Sequence, residues 1–160
     1  MDHDLPSQSL RQHWEAVTDD LRATADELEA EGWETVPLYP GDVTTVTGKS
    51  ELPPGLDVMV ASDDFDALEA ALEDGASFEE TAVYRQAAGG VMFLVCVLRD
   101  PERRVATLFP AFYPQQGASV ERLREHVEET DQVDVFVHPL DRERLVTFTI
   151  DKPGLVFPDD

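Results

Sequence analysis

Four histidines, one cysteine and a cluster of arginines in the second half carry whatever chemistry this 160-residue chain could perform. His3, His13, His126 and His138 lack metal-ligand spacing such as two on one helical face, and the chain has no Gly-x-Ser-x-Gly, phosphate-loop or dinucleotide fingerprint. No catalytic residue, metal set or cofactor is therefore assigned. Cys96 is a lone cysteine, which excludes an internal disulfide. It lies within the apolar run Val91 to Leu98 and reads as a small buried hydrophobe, because a reactive thiol needs an exposed, electropositive setting. Ser62-Asp63-Asp64 follows the apolar Val58-Met59-Val60, and carboxylates at a strand's end can hold a hard cation. Acids in a first helical turn also complement the helix dipole, and no third carboxylate is placed to complete a metal shell.

The arginines offer the second chemistry, recognition of an anion. Asp100-Pro-Glu-Arg103 and Asp141-Arg-Glu-Arg144 repeat one turn pattern, either by convergence on turn chemistry or as a duplicated hairpin. If both turns lie at one end of a sheet, Arg103, Arg104, Arg142 and Arg144 form a basic rim. The candidate ligand-binding residues are Tyr84, Arg85, Tyr113, His138, Arg142 and Arg144, with His138 either a general base beside the rim or an ordinary strand-end residue. The aromatics of Leu108-Phe-Pro-Ala-Phe-Tyr113 either line a groove with Tyr84 or belong to core and rim.

Positioning such residues requires a sheet. Gly89-Gly90 joins Ala82–Ala88 to Val91–Leu98, and two glycines between apolar runs signal a tight hairpin. With Val105–Tyr113 this predicts a three-stranded meander. Val91–Leu98 shows no polar alternation, so both its faces must be covered and it should be central. Pro110 argues that its own strand is an edge or is bulged there.

Leu10, Trp14, Val17, Leu21 and Leu28, with Thr24 between, predict one long amphipathic helix capped by Ser7 or Ser9 and stopped at Gly32. That stripe covers a sheet or forms a seam for a partner helix. Trp33–Leu38 and Val43–Thr47 around Tyr39-Pro-Gly-Asp42 read as a short hairpin, and Gly48–Gly55 as a loop. Phe65, Leu68 and Leu72 mark a second helix ending at Gly75. Val120, Leu123 and Val127 mark a third, capped by Ser119. Val133–His138 and Val146–Ile150 form a second hairpin. The expected fold is a single α+β domain over residues 1–160, a largely antiparallel sheet of five to seven strands covered by about three helices, with 1–6 and 152–160 as loose termini.

Acidic residues outnumber basic ones by 34 to 12, for a net charge of −22. Residues 1–80 carry 21 acids and 3 bases, whereas residues 81–160 carry 13 and 9. Lys49 and Lys152 stand against ten arginines. An apolar fraction of 42% separates the chain from a disordered acidic tail. The charge reads as a solvated surface adapted to molar salt, the alternative being a mimic of a nucleic-acid backbone. The acidic start is unlike a secretory signal and no apolar run is long enough for a membrane helix, so a cytoplasmic protein is expected, with neither membrane nor nucleic acid as partner.

Gly-Trp-Glu-Thr-Val-Pro-Leu-Tyr-Pro-Gly-Asp-Val from Gly32, Gly-Leu-Asp-Val-Met-Val from Gly55, Val-Tyr-Arg from Val83, Gly-Gly-Val-Met-Phe-Leu-Val from Gly89 and Pro-Leu-Asp-Arg-Glu-Arg-Leu-Val-Thr-Phe from Pro139 resemble the small acidic haloarchaeal proteins grouped as a domain of unknown function. The resemblance runs from about Trp14 to Phe148. It implies a salt-filled archaeal cytoplasm and transfers no activity. Two function classes follow. One is a non-enzymatic interaction or regulatory domain that meets a protein partner, or a second copy, through the helix stripe beginning at Leu10 or the strand edge near Pro110. The other is an anion-binding or enzymatic domain using the arginine-bearing end.

The charge generates the first prediction. Repulsion among the carboxylates is screened as the Debye length falls to about 3 Å at 1 M salt, so thermal melts across a potassium chloride series should show a steep rise in Tm. A Tm that is equal in low and molar salt refutes the salt-adapted reading.

Overall fold

The computed structural model describes residues 4–46, 53–141 and 143–158. Its helices are α1 (Asp4–Ala30), α2 (Ser62–Glu73) and α3 (Ala118–Thr130). Its strands are β1 (Glu34–Pro37), β2 (Pro40–Val46), β3 (Gly55–Val60), β4 (Glu80–Ala88), β5 (Val91–Asp100), β6 (Val105–Pro114), β7 (Val133–His138) and β8 (Val146–Ile150). A 3-10 turn follows at Pro153–Leu155.

The expected single sheet is instead two mixed sheets of four strands each, ordered β1-β6-β5-β4 and β2-β3-β7-β8. Each contains one parallel pair, β1 with β6 and β3 with β7. The sequence reading fails at Tyr39–Asp42, where a hairpin was expected. Leu38 N–H bonds back to Leu108 O at 2.8 Å, and the next amide, Tyr39, donates to Asp64 Oδ2 at 3.0 Å. The chain then enters the other sheet at Pro40, pairing with β3. Turn residues bend a chain equally well within one sheet or between two, so local sequence does not distinguish them.

The meander and the β7–β8 hairpin form as expected. Gly89 and Gly90 take φ of +60° and +83°, the paired positive values that a type I′ turn requires. β5 lies inside its sheet, and alternate residues serve different cores. Met92, Leu94, Cys96 and Leu98 join a core shared with the β2-β3-β7-β8 sheet, α2 and α3. Phe93, Val95 and Val97 join a second core under Val17, Leu21, Ala25 and Leu28 of α1. The α1 stripe is thus spent on the sheet, with Ala25 in place of Thr24 at its buried line. Among the described residues, no helix is long and apolar enough to cross a membrane.

Three local expectations change. Helix α1 begins at Asp4, placing Ser7 and Ser9 inside it and not at its cap. Helix α3 starts one residue before Ser119, with Gly117 at its N-cap and no side-chain bond there. Pro110 sits in an internal strand, yet the reasoning behind an edge holds locally. Leu108 gives its carbonyl to Leu38, the last bond from the β1 side, and two residues on the proline nitrogen faces the same side where no strand continues.

Gly55 of β3 leaves no room for a side chain. A Cβ there would lie 2.5 Å from Asp134 O and 2.6 Å from Phe136, contacts that only a shift of β7 can relieve. Gly55→Ala should cost about 1–3 kcal/mol in guanidinium unfolding. Gly154→Ala, with nothing within 4 Å of its Cβ, serves as the near-neutral control.

Candidate functional site

The six residues proposed for an anion site occupy different environments. Tyr84 is 60% exposed on the α1 side of β4. Arg85, its neighbour in the strand, points to the opposite face and donates from Nη1 to Gly154 O (2.7 Å) and Leu155 O (2.8 Å). Tyr113 is fully buried and donates its hydroxyl to Val156 O at 2.6 Å, with desolvation raising its pKa. Arg144 bonds Asp66 (2.8 Å) and Glu69 (2.9 Å) of α2 and lies over the Phe65 ring at 5.0 Å. Arg142 lies outside the described residues. Arg103 bonds Asp100, and Arg104 reaches Glu31 O and the Trp33 ring. The arginines therefore serve separate places: Arg103 and Arg104 on the β5–β6 turn of one sheet, Arg144 between β7 and β8 of the other.

His138 ends β7 and is 1% exposed, so it is a core histidine and not a surface one. Its Nε2 lies 2.8 Å from Asp57 Oδ2 on neighbouring β3, and its Nδ1 lies 2.7 Å from Pro139 O. Both ring nitrogens lie within hydrogen-bond distance of an oxygen atom. Asp57 went unnoticed in the sequence because its partner is 81 positions away. Only the parallel β3–β7 register, which sets Met59 opposite His138, brings the two together.

Cys96 is 1% exposed and its thiol is pushed up to about 12 by burial, leaving it inert as a nucleophile. Among the described residues, no group of three or more His, Cys, Asp or Glu side chains could hold a metal ion. Asp64, one of the acid pair after β3, instead anchors the crossing between sheets through Tyr39.

Two concavities flank α1. The first, about 290 Å³, lies at its N-terminal end between Leu10, Arg11 and Trp14, the start of β2 from Pro40 to Val43, and Phe93 and Phe112. Its aromatics form one group: Trp14 meets Phe112 edge-on at 5.4 Å, Phe112 lies 6.2 Å from Phe93, and His13 stacks on Phe93 at 5.6 Å. Leu10 at its rim is 38% exposed. This is where the start of the helix stripe and the open side of β6 beyond Pro110 come together. The second concavity, about 420 Å³, runs between α1 and β4, with Asp20 and Glu27 on one wall, Tyr84 and Gln86 on the other, and Phe93 and Val95 at the floor.

A family model described as a family of unknown function, DUF7529, matches residues 3–158. No curated protein and no solved structure matches the chain.

The Asp100 turn gives a pH prediction. Asp100 is wholly buried and accepts Ser77 N–H at 2.9 Å, Glu102 N–H at 3.1 Å and Arg103 N–H at 3.2 Å. The Ser77 bond, ahead of the Arg103 contacts and against desolvation, holds its carboxyl below the ordinary range. A depressed carboxylate stabilises the fold above its unfolded pKa and loses that contribution as pH falls through the folded value. Asp100→Asn should lower stability at neutral pH and flatten the loss of stability below about pH 4, read by urea unfolding across pH. An acid limb as steep as that of the parent refutes the assignment.

Proposed function

We propose, from the premise that the chain belongs to DUF7529, a family of unknown function, that it is a non-enzymatic protein-interaction or regulatory domain working in a salt-rich cytoplasm. What carries this reading is the aromatic-floored concavity at the start of α1. Its wall combines a partly exposed Leu10, a half-buried Trp14 and the end of β6 that no strand pairs with on the β1 side. Concave apolar surface rimmed by polar residues suits the anchor side chain of a protein partner. The buried stripe of α1, by contrast, supports a structural role for the rest of that helix.

The rival is a small anion held at the arginine-bearing end. Its cations at Arg85, Arg103, Arg104 and Arg144 each already have an acceptor in the fold, and an incoming anion must compete with those bonds.

Affinity capture in molar salt separates the two. The expected result is a protein partner retained by an Arg142→Ala, Arg144→Ala variant and lost with Leu10→Asp, an exposed substitution that should leave the melting curve unchanged. A small anion whose binding disappears in the arginine variant, with no protein captured, decides for the rival.

A further inference from the structure

The outer edge of β4 carries an observation independent of the Leu10 concavity. Its register with β5 is unbroken from Glu80 opposite Arg99 to Ala88 opposite Val91. Ala88 and Val91 close a two-residue hairpin, so they form a hydrogen-bonded pair, and alternation turns the N–H and C=O of residues 82, 84, 86 and 88 toward β5. The same alternation turns those of Thr81, Val83, Arg85 and Ala87 outward. Among the described residues, no backbone group bonds to these four.

Edges of this length are normally blunted by proline, lysine or a bulge. From Thr81 to Ala88 this strand has none of these, and its one charged side chain, Arg85, is held by Gly154 and Leu155 on the far face. On the α1 face, Tyr84 is 60% exposed and stands across the groove from Asp20 and Glu27. Those two acids and Thr24 recur at spacings of four and three, so they share one helical face. Neither carboxylate has a basic partner among the described residues.

Charge selects the occupant. A second copy would bring another −22 and, on its own β4, only an arginine already tied to the tail. A cationic strand would meet two free carboxylates and the face of an aromatic ring.

We propose that the outer edge of β4 receives an extended segment of a basic protein as an added strand, with one lysine or arginine of that segment seated between Asp20, Glu27 and Tyr84. Backbone bonds to Thr81, Val83, Arg85 and Ala87 supply the pairing, and alternate side chains enter the groove over Phe93 and Val95.

The test uses the full chain at the lowest salt that keeps it folded, with fluorescence anisotropy of an N-acetylated, fluorescein-labelled octapeptide alternating valine and lysine. The parent protein should bind it. A peptide of the same charge, N-methylated on every residue so that neither of its edges can pair, should bind at least about tenfold more weakly, as should Asp20→Asn with Glu27→Gln. Thr81→Pro with Ala87→Pro should cause a similar loss while circular dichroism stays unchanged, because the replaced N–H groups face outward. If the proline variant does not fold, the N-methylated peptide on the parent chain decides alone. Leu10→Asp should bind the octapeptide like the parent, keeping this surface distinct from the Leu10 concavity.

No binding, or equal binding of the methylated peptide, overturns the proposal. So does sedimentation of the parent as a dimer that the proline variant dissociates, which would give the edge to a second copy.

Discussion

Burial of β5 on both faces is the constraint on which the rest of the structure depends. Seven of its ten residues in succession, Met92 to Leu98, are buried, so the strand needs a separate cover on each side. One cover is α1, whose stripe Val17, Leu21, Ala25 and Leu28 closes over Phe93, Val95 and Val97. The other is the second sheet with α2 and α3, closing over Met92, Leu94, Cys96 and Leu98. Each fully buried large apolar side chain contributes about 1.5–3 kcal/mol, so a two-faced strand earns roughly double what a half-exposed one can. This accounts for a chain that spends its longest helix and an entire second sheet on one hairpin.

Scarcity of cations is the second organising condition. With 12 basic residues against 34 acids, three arginines, Arg85, Arg104 and Arg144, are placed where one guanidinium joins segments far apart in sequence. Arg104 bonds Glu31 O just past the end of α1, where the helix dipole favours positive charge, and its own carbonyl accepts Glu34 N–H. Its φ of +56°, a conformation costing about 1 kcal/mol or more, serves both contacts. Arg85 holds the 3-10 turn that delivers Val156 and Phe157 into the core, and Arg144 ties the β7–β8 connection to α2. A carboxylate-rich surface leaves such staples unchallenged by other cations from the chain itself. It also leaves Asp20 and Glu27 without a basic partner among the described residues, beside Tyr84, which gives the β4 edge its electrostatic preference.

Much of this was legible in the sequence, and the reasons are physical. Local patterning marked the three helices and the β7–β8 hairpin by periodicity, and the meander and the two-sided burial of Val91–Leu98 by the Gly-Gly turn and an unbroken apolar run, because each depends on neighbours no more than a few residues apart. The paired glycines fixed the turn at 89–90, and Gly32 with its φ of +93° ended α1, since few other residues adopt that backbone. Tertiary structure alone decided the split into two sheets, which hangs on whether the bend at Tyr39–Asp42 folds back or crosses over, and that on a bond to Asp64 25 residues away. It also decided that His138 is a core partner of Asp57, that the arginines face different neighbours, and that Leu10 and Phe112 share a concavity. Such pairings are set by the register of strands and the seating of a helix. Those are satisfied only when the whole core closes, so no local pattern of residues encodes them.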